Sequence, residues 1–236
     1  MKGDHQSDNG QKRGFFVVVD GTDGSGKTTQ VELLVKRAQE EGFKVSVFDF
    51  PQYGSPSAWF VEQYLNGKFG SLDEVGPYEA AVFYAVDRDA TKREIKDALQ
   101  AGRLVISNRY VTANMGHQGA KIKDKDKRQK FFQWLDKFEY EILGIPRPDL
   151  NIILHVPAEI AQSLVDKKGY RGYVGGKKRD LHESNLEHLK LAEQVYLQMA
   201  DEFSHFSLIE CFVSGKLLSP KEIHAKIWQL VLEKIK

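Results

Sequence analysis

The stretch Gly21-Thr22-Asp23-Gly24-Ser25-Gly26-Lys27-Thr28 decides how this chain is read. Its spacing is glycine, four residues, then glycine-lysine-hydroxyl. An apolar run, Phe15-Phe16-Val17-Val18-Val19, precedes it, and an amphipathic pattern of Val31, Leu34, Val35 and Ala38 follows. Strand, glycine-rich turn and helix in that order make a phosphate-binding loop. Gly21, Gly24 and Gly26 let the backbone curl so that its N–H groups point inward. The helix adds the positive end of its dipole. Lys27 supplies a cation between the outer phosphates, and the Thr28 hydroxyl can ligate Mg²⁺. An Asp among phosphates, as Asp23 would be, is costly unless it serves Mg²⁺ or a sugar hydroxyl. Thr28 and Asp23 are therefore the candidate metal ligands.

Outward from the loop, short apolar runs alternate with helical patterns. Strands are expected at 15–19, 43–50, 104–106, 150–156 and 206–213. Helices are expected after the loop, over 77–100, along a face carrying Phe131, Leu135, Phe138 and Ile142, from Pro157, around Leu189 to Phe203, and over 220–235. Runs apolar on both faces belong to strands covered on both sides. The alternation predicts an α/β fold, a five-stranded parallel sheet with helices on both faces. Residues 1–14 read as a polar, disordered tail and 15–236 as one domain. Within it, 167–180 (KKGYRGYVGGKKRD) combines four glycines with six Lys or Arg. Loose backbone and like charges that repel until an anion arrives describe a basic lid.

Composition narrows the function classes. The chain has 236 residues with 34 Lys or Arg against 33 Asp or Glu, a formal net charge of +1. That balance speaks against a general nucleic-acid binder. One cysteine, Cys211, excludes a disulfide framework, and its apolar strand predicts a buried, inert thiol. No apolar run approaches the roughly 18 residues of a membrane span, and the polar start lacks the apolar core of a signal peptide. A cytoplasmic protein with neither membrane nor nucleic-acid partner is expected. The seven histidines show no metal-ligand spacing.

The loop alone does not name an activity. The run 104–106 ends in Ser107-Asn108, a neutral pair where motors and ATPases place an Asp, and no Asn-Lys-x-Asp guanine-reading segment occurs. What remains is a compact kinase for a small acceptor. Tyr84 and Arg88 stand one helical turn apart, a stacking face and a bidentate donor suited to a nucleobase; core packing and a solvated charge are the alternative for that pair. Arg109 follows directly on a parallel strand, where such sheets bind ligands; a structural salt bridge is its alternative.

These residues resemble the thymidylate kinase family. The resemblance spans nearly all of 15–236. It rests on the loop with Asp23, on Phe50-Pro51-Gln52-Tyr53, on Tyr84-Ala85-Val86-Asp87-Arg88, on Asn108-Arg109-Tyr110, on Asn114 with His117-Gln118-Gly119-Ala120-Lys121, and on Pro146-Arg147-Pro148-Asp149-Leu150. It implies a homodimer that moves the γ-phosphate of MgATP to dTMP, giving dTDP for dTTP synthesis. Lys27 and Thr28 would hold ATP phosphates and Mg²⁺. Asp23 would contact the acceptor sugar or the metal. Tyr84 would stack on thymine, Arg88 would bond the base, and Arg109 would bridge the phosphates. Asn114 and Gln118 would meet the base edge, with His117 near the deoxyribose and Phe50 and Tyr53 walling the pocket. Lacking an Arg inside its loop, such a chain draws its catalytic cation from the lid, where Lys168, Arg171, Lys178 and Arg179 are available. Arg171 and Arg179 stand as catalytic candidates beside Lys27, Asp23 and Arg109, and Asp180 resembles a lid-end acid. The chain departs from the pattern at Gln52 (Arg in some relatives), Asn108 (usually Asp), Ala113 (often Ser) and Tyr84 (usually Phe). Two other readings stand beside this one: a deoxynucleoside monophosphate kinase of broader base range, and a nucleotide-binding switch without transfer activity.

Overall fold

The structure is a computed structural model, and it describes residues 13–165 and 185–235. Five parallel strands form its sheet in the order β2-β3-β1-β4-β5. They are β1 (Phe15–Gly21), β2 (Val45–Asp49), β3 (Leu104–Asn108), β4 (Leu150–His155) and β5 (Phe206–Glu210). The central strand reads as a continuous apolar run because both of its faces are covered: Phe16, Val17, Val18 and Val19 are fully buried. Val17 and Val19 pack with Leu34 and Ala38 of α1 (Lys27–Glu40) and Ile227 and Val231 of α9 (Pro220–Ile235). On the other face Phe16 and Val18 pack with Ile95 and Leu99 of α4 (Lys92–Gln100) and with Tyr110. A further cluster joins α5 (Val111–Gly119), α6 (Lys125–Leu135) and α8 (Leu186–Glu202) over β4. Strand order turns at β1, so β1 and β3 end side by side, Val19 opposite Asn108. Ligand crevices form at such carboxyl ends.

Several elements differ from the sequence expectation. The helix expected over 77–100 is two: α3 (Pro77–Ala90) stops at Thr91, whose hydroxyl and N–H both return to the Arg88 carbonyl at 3.2 Å. A hydroxyl residue that bonds the preceding turn competes with helix propagation. The expected strand 206–213 breaks after Glu210. Phe212–Val213 (β6) instead pairs antiparallel with Lys216–Leu217 (β7). Cys211, between β5 and β6, is fully buried, and burial pushes its thiol up to about 12, as expected of an inert cysteine. Asp136–Ile142 is π-helical, which turns Ile142 outward and brings Glu139 inward with no exposure. The single face expected for Phe131, Leu135, Phe138 and Ile142 is thereby broken at Ile142.

Two helices had no sequence signal. These are α2 (Trp59–Leu65), preceded by a 3-10 turn at Pro56–Ala58, and α5. The residues of α5, VTANMGHQG, are poor helix formers. Packing holds it instead: a Cβ on Gly116 would lie 2.4 Å from the Tyr196 ring of α8. The remaining helix, α7 (Ala158–Val165), follows Pro157 as expected. Arg13 and Gly14, assigned to the polar tail by sequence, belong with the fold. Arg13 ion-pairs with Asp149 at 2.9 Å and the Gly14 N–H donates to the Leu99 carbonyl at 2.7 Å. The proposed lid, 167–180, with Lys168, Arg171, Lys178, Arg179 and Asp180, lies outside the described residues.

Candidate active site

The phosphate loop connects β1 to α1. Gly26 caps α1 with a φ of 92° and no side-chain cap bond, so the N-terminal end of a 14-residue helix faces the loop. Gly24 also has a φ of 92°, and a Cβ there would come within 2.0 Å of the Ala161 carbonyl of α7. Only glycine fits. The Lys27 ammonium folds over the loop, donating to the Gly21 and Thr22 carbonyls at 2.9 Å each, with the Asp23 carboxylate 3.6 Å away. The buried hydroxyls of Thr22 and Ser25 have no hydrogen-bond partner among the described residues. Orphaned donors, an uncapped helix end and a lysine suit polyphosphate.

Arg109 follows β3 directly. Its φ of 64° is left-handed, a conformation costing on the order of 1–3 kcal/mol in a side-chain-bearing residue. Two bonds hold it: the Arg109 N–H donates to the Val19 carbonyl at 3.0 Å, and the Ser107 hydroxyl donates to the Arg109 carbonyl at 2.6 Å. That turn aims the guanidinium back across the sheet end onto the Asp23 carboxylate. Burial opposes the Asp23 charge, yet Arg109 and Lys27 outweigh it and hold the carboxyl well below its ordinary range. Burial likewise opposes the Arg109 charge, and Asp23 more than restores it.

Beside this pair a cleft opens. Its lining includes all eight acceptor-side residues singled out by sequence: Phe50, Tyr53, Tyr84, Arg88, Arg109, Asn114, His117 and Gln118. Asp23, Pro51, Leu65, Tyr110 and Ala113 complete it. Six segments supply these side chains: the phosphate loop, the turn after β2, the helix Trp59–Leu65, α3, the end of β3, and α5. Burial pushes the His117 imidazole down to about 4, so it is neutral at ordinary pH. It stacks on His188 of α8, ring centres 5.8 Å apart.

The base of the cleft is built by residues that the sequence reading missed. Glu139, on the π-helical turn, accepts from Arg88 Nε at 2.6 Å and Nη2 at 2.7 Å, and from Asn114 Nδ2 at 3.1 Å. One buried carboxylate thus orients two cleft residues. Its signal was a charge at position 139 on the stripe of Phe131 and Leu135. Asp87, also buried, organises the turn after β2. It accepts from the Gln52 N–H (2.9 Å), the Gln52 side-chain amide (3.1 Å) and the Ser57 hydroxyl (2.6 Å). Gln52 is therefore spent on fixing its loop.

Among the described residues no three Asp, Glu, His or Cys side chains converge to hold an ion. Mg²⁺ needs no such cage, since it binds through one or two protein oxygens, waters and phosphates. The Thr28 hydroxyl, exposed on the first turn of α1, fits that role. The Asp23 charge is already shared between two cations.

Comparison with known proteins gives the same family. The thymidylate kinase family model matches residues 19–212. The chain belongs to the thymidylate kinase family. It is 30% identical over 187 residues to the thymidylate kinase of Mycobacterium tuberculosis, covering 79% of this chain and 86% of that one. It is 29% identical over 220 residues to a probable thymidylate kinase of Pyrococcus abyssi, covering 93% and 96%. The fold matches that of thymidylate kinase from Candida albicans with a TM-score of 0.70 over 94% of this chain and 92% of the other, at 19% identity. As a family member the chain is a phosphotransferase that phosphorylates dTMP with ATP. No helix of the described residues is long and apolar enough to cross a membrane.

Proposed function

We propose that the loop from Gly21 to Thr28 grips the triphosphate of MgATP while the cleft beside it holds dTMP, with Asp23 and Arg109 between donor and acceptor. The observation that carries this reading is the meeting of all eight acceptor-side residues in one cleft that also takes in Asp23 of the phosphate loop, the ion-pair partner of Arg109. Phosphoryl transfer asks for positioning and charge stabilisation more than covalent help. Lys27 would leave the Gly21 and Thr22 carbonyls for the outer phosphates. Arg109 would steady the phosphate oxygens of both nucleotides from its strained turn. Tyr84 would stack on the base, and Arg88, held by Glu139, would present its remaining donors to the base edge. Asn114, Gln118 and His117 would line the base and sugar, with Phe50 and Tyr53 as walls. Mg²⁺ bound with ATP would neutralise phosphate charge beside the Thr28 hydroxyl.

The same reading takes 15–236 as one domain, closes it with the basic segment 167–180 carrying Arg171 and Arg179, and pairs the chain into a cytoplasmic homodimer without nucleic-acid or membrane partners. An acceptor profile tests it. With MgATP, ADP release should be fastest with dTMP among dTMP, dUMP, dCMP and dGMP. A faster rate with dGMP would favour a broader base range. No acceptor-dependent release at all would favour a nucleotide switch.

A further inference from the structure

Three facts leave a charge unaccounted for at the phosphate end. The Asp23 carboxylate is committed to Arg109 and Lys27. Strand β3 ends in the neutral Asn108, where phosphate-loop enzymes use an Asp to steady Mg²⁺. Asn108 is 3% exposed, and its side-chain oxygen has no hydrogen-bond partner among the described residues. Its amide nitrogen reaches the Thr28 hydroxyl at 3.5 Å.

A carboxylate stands one strand further out. Asp49 ends β2 directly opposite Asn108 in the parallel register. Burial pushes its carboxyl above the ordinary range, and the nearby charges of Arg109 and Lys27 pull against that rise. Thr28, Asn108 and Asp49 thus form a row from the phosphate loop to the sheet edge. We propose that Asp49 is a positioning residue for the metal of MgATP, supplying through Asn108 and the ion's water shell the negative charge that β3 lacks. Asn108 relays: it stands beside Asp49 in the register and reaches the Thr28 hydroxyl, and its orphaned oxygen is free to accept from a metal-bound water. The charge has moved from the strand next to β1 to the strand beyond it, and Thr28 remains the direct oxygen. This inference rests on the MgATP reading of the loop.

The test uses the full chain, Mn²⁺ as the ion and a non-hydrolysable ATP analogue, with Mn²⁺ binding followed by electron paramagnetic resonance. Asp49→Asn should weaken Mn²⁺ binding to the enzyme–analogue complex on the order of tenfold, the lower end for an outer-shell carboxylate. Analogue affinity in metal chelator should be unchanged. Adding Asn108→Asp to Asp49→Asn should restore Mn²⁺ binding by returning the charge to β3. Unchanged Mn²⁺ affinity in Asp49→Asn, or an equal loss of affinity in chelator, overturns the assignment while leaving the MgATP reading intact. A wild-type chain that binds no analogue overturns both.

Discussion

Arg88 and Glu139 form a two-pronged ion pair, 2.6 and 2.7 Å, in which neither residue is more than 1% exposed. The cleft thus rests on a charge pair contributed by α3 and the π-helical turn. Removing one partner of a buried pair leaves the other uncompensated, a cost of about 3–5 kcal/mol. Glu139→Ala should lower unfolding free energy by that amount in urea titrations. Glu139→Gln, which keeps the shape, should raise KM for dTMP while leaving KM for ATP near wild type, since it removes the charge and one of the two acceptor oxygens that hold Arg88 and Asn114.

Lys27 gives a different signature. Its ammonium lies over the loop, bonded to two carbonyls. Lys27→Ala should keep the far-ultraviolet circular dichroism of the wild type and lower kcat by about 10²–10³-fold or more, the scale of losing one charge-stabilising donor. Steady-state kinetics on the folded variant check it.

Gly24→Ala should be worse than a surface glycine change. The left-handed φ and the Ala161 carbonyl 2.0 Å from the new Cβ both oppose it. The loop must shift or α7 must retreat, so ATP affinity should fall together with stability. Gly42→Ala, at a φ of 84° with nothing within 4 Å, carries only the backbone strain. Its thermal midpoint should drop less and its ATP affinity should hold.

The stacked histidines predict a pH dependence. Burial lowers His117 from 6.5 to about 4 and His188 from 6.5 to about 3. Between those values and 6.5 the unfolded chain binds more protons than the folded one, so stability rises with pH and is lost on acidification through that window. Each histidine should withdraw about 1.5 kcal/mol between pH 6.5 and roughly pH 5. Urea unfolding of His188→Gln across that range should be flatter than wild type by that amount.

Much of this was legible before any coordinates. The phosphate loop shows in sequence because its glycines and lysine are local requirements, and β1 shows because burial on both faces leaves no polar position. The eight cleft residues came from motifs spread over 50–118. Glu139 and Asp87 escaped because their partners, Arg88 and Asn114, or Gln52 and Ser57, are distant in sequence, and a lone carboxylate has no periodic signal. Helix α5 escaped because its glycines read as breakers until Tyr196 is seen packed on Gly116. The π-helical turn escaped because a pattern of 3.6 residues cannot register one extra residue in a turn.

The central claim is transfer from a gripped triphosphate to a nucleotide in the adjoining cleft. It is tested most directly by incubating the chain with Mg²⁺, dTMP and ATP labelled in the γ-phosphate, then separating the products. The account predicts label in dTDP, equal to the ADP formed, appearing about 10²–10³-fold more slowly with Lys27→Ala. Label appearing only as inorganic phosphate, with dTMP unconsumed, would contradict it.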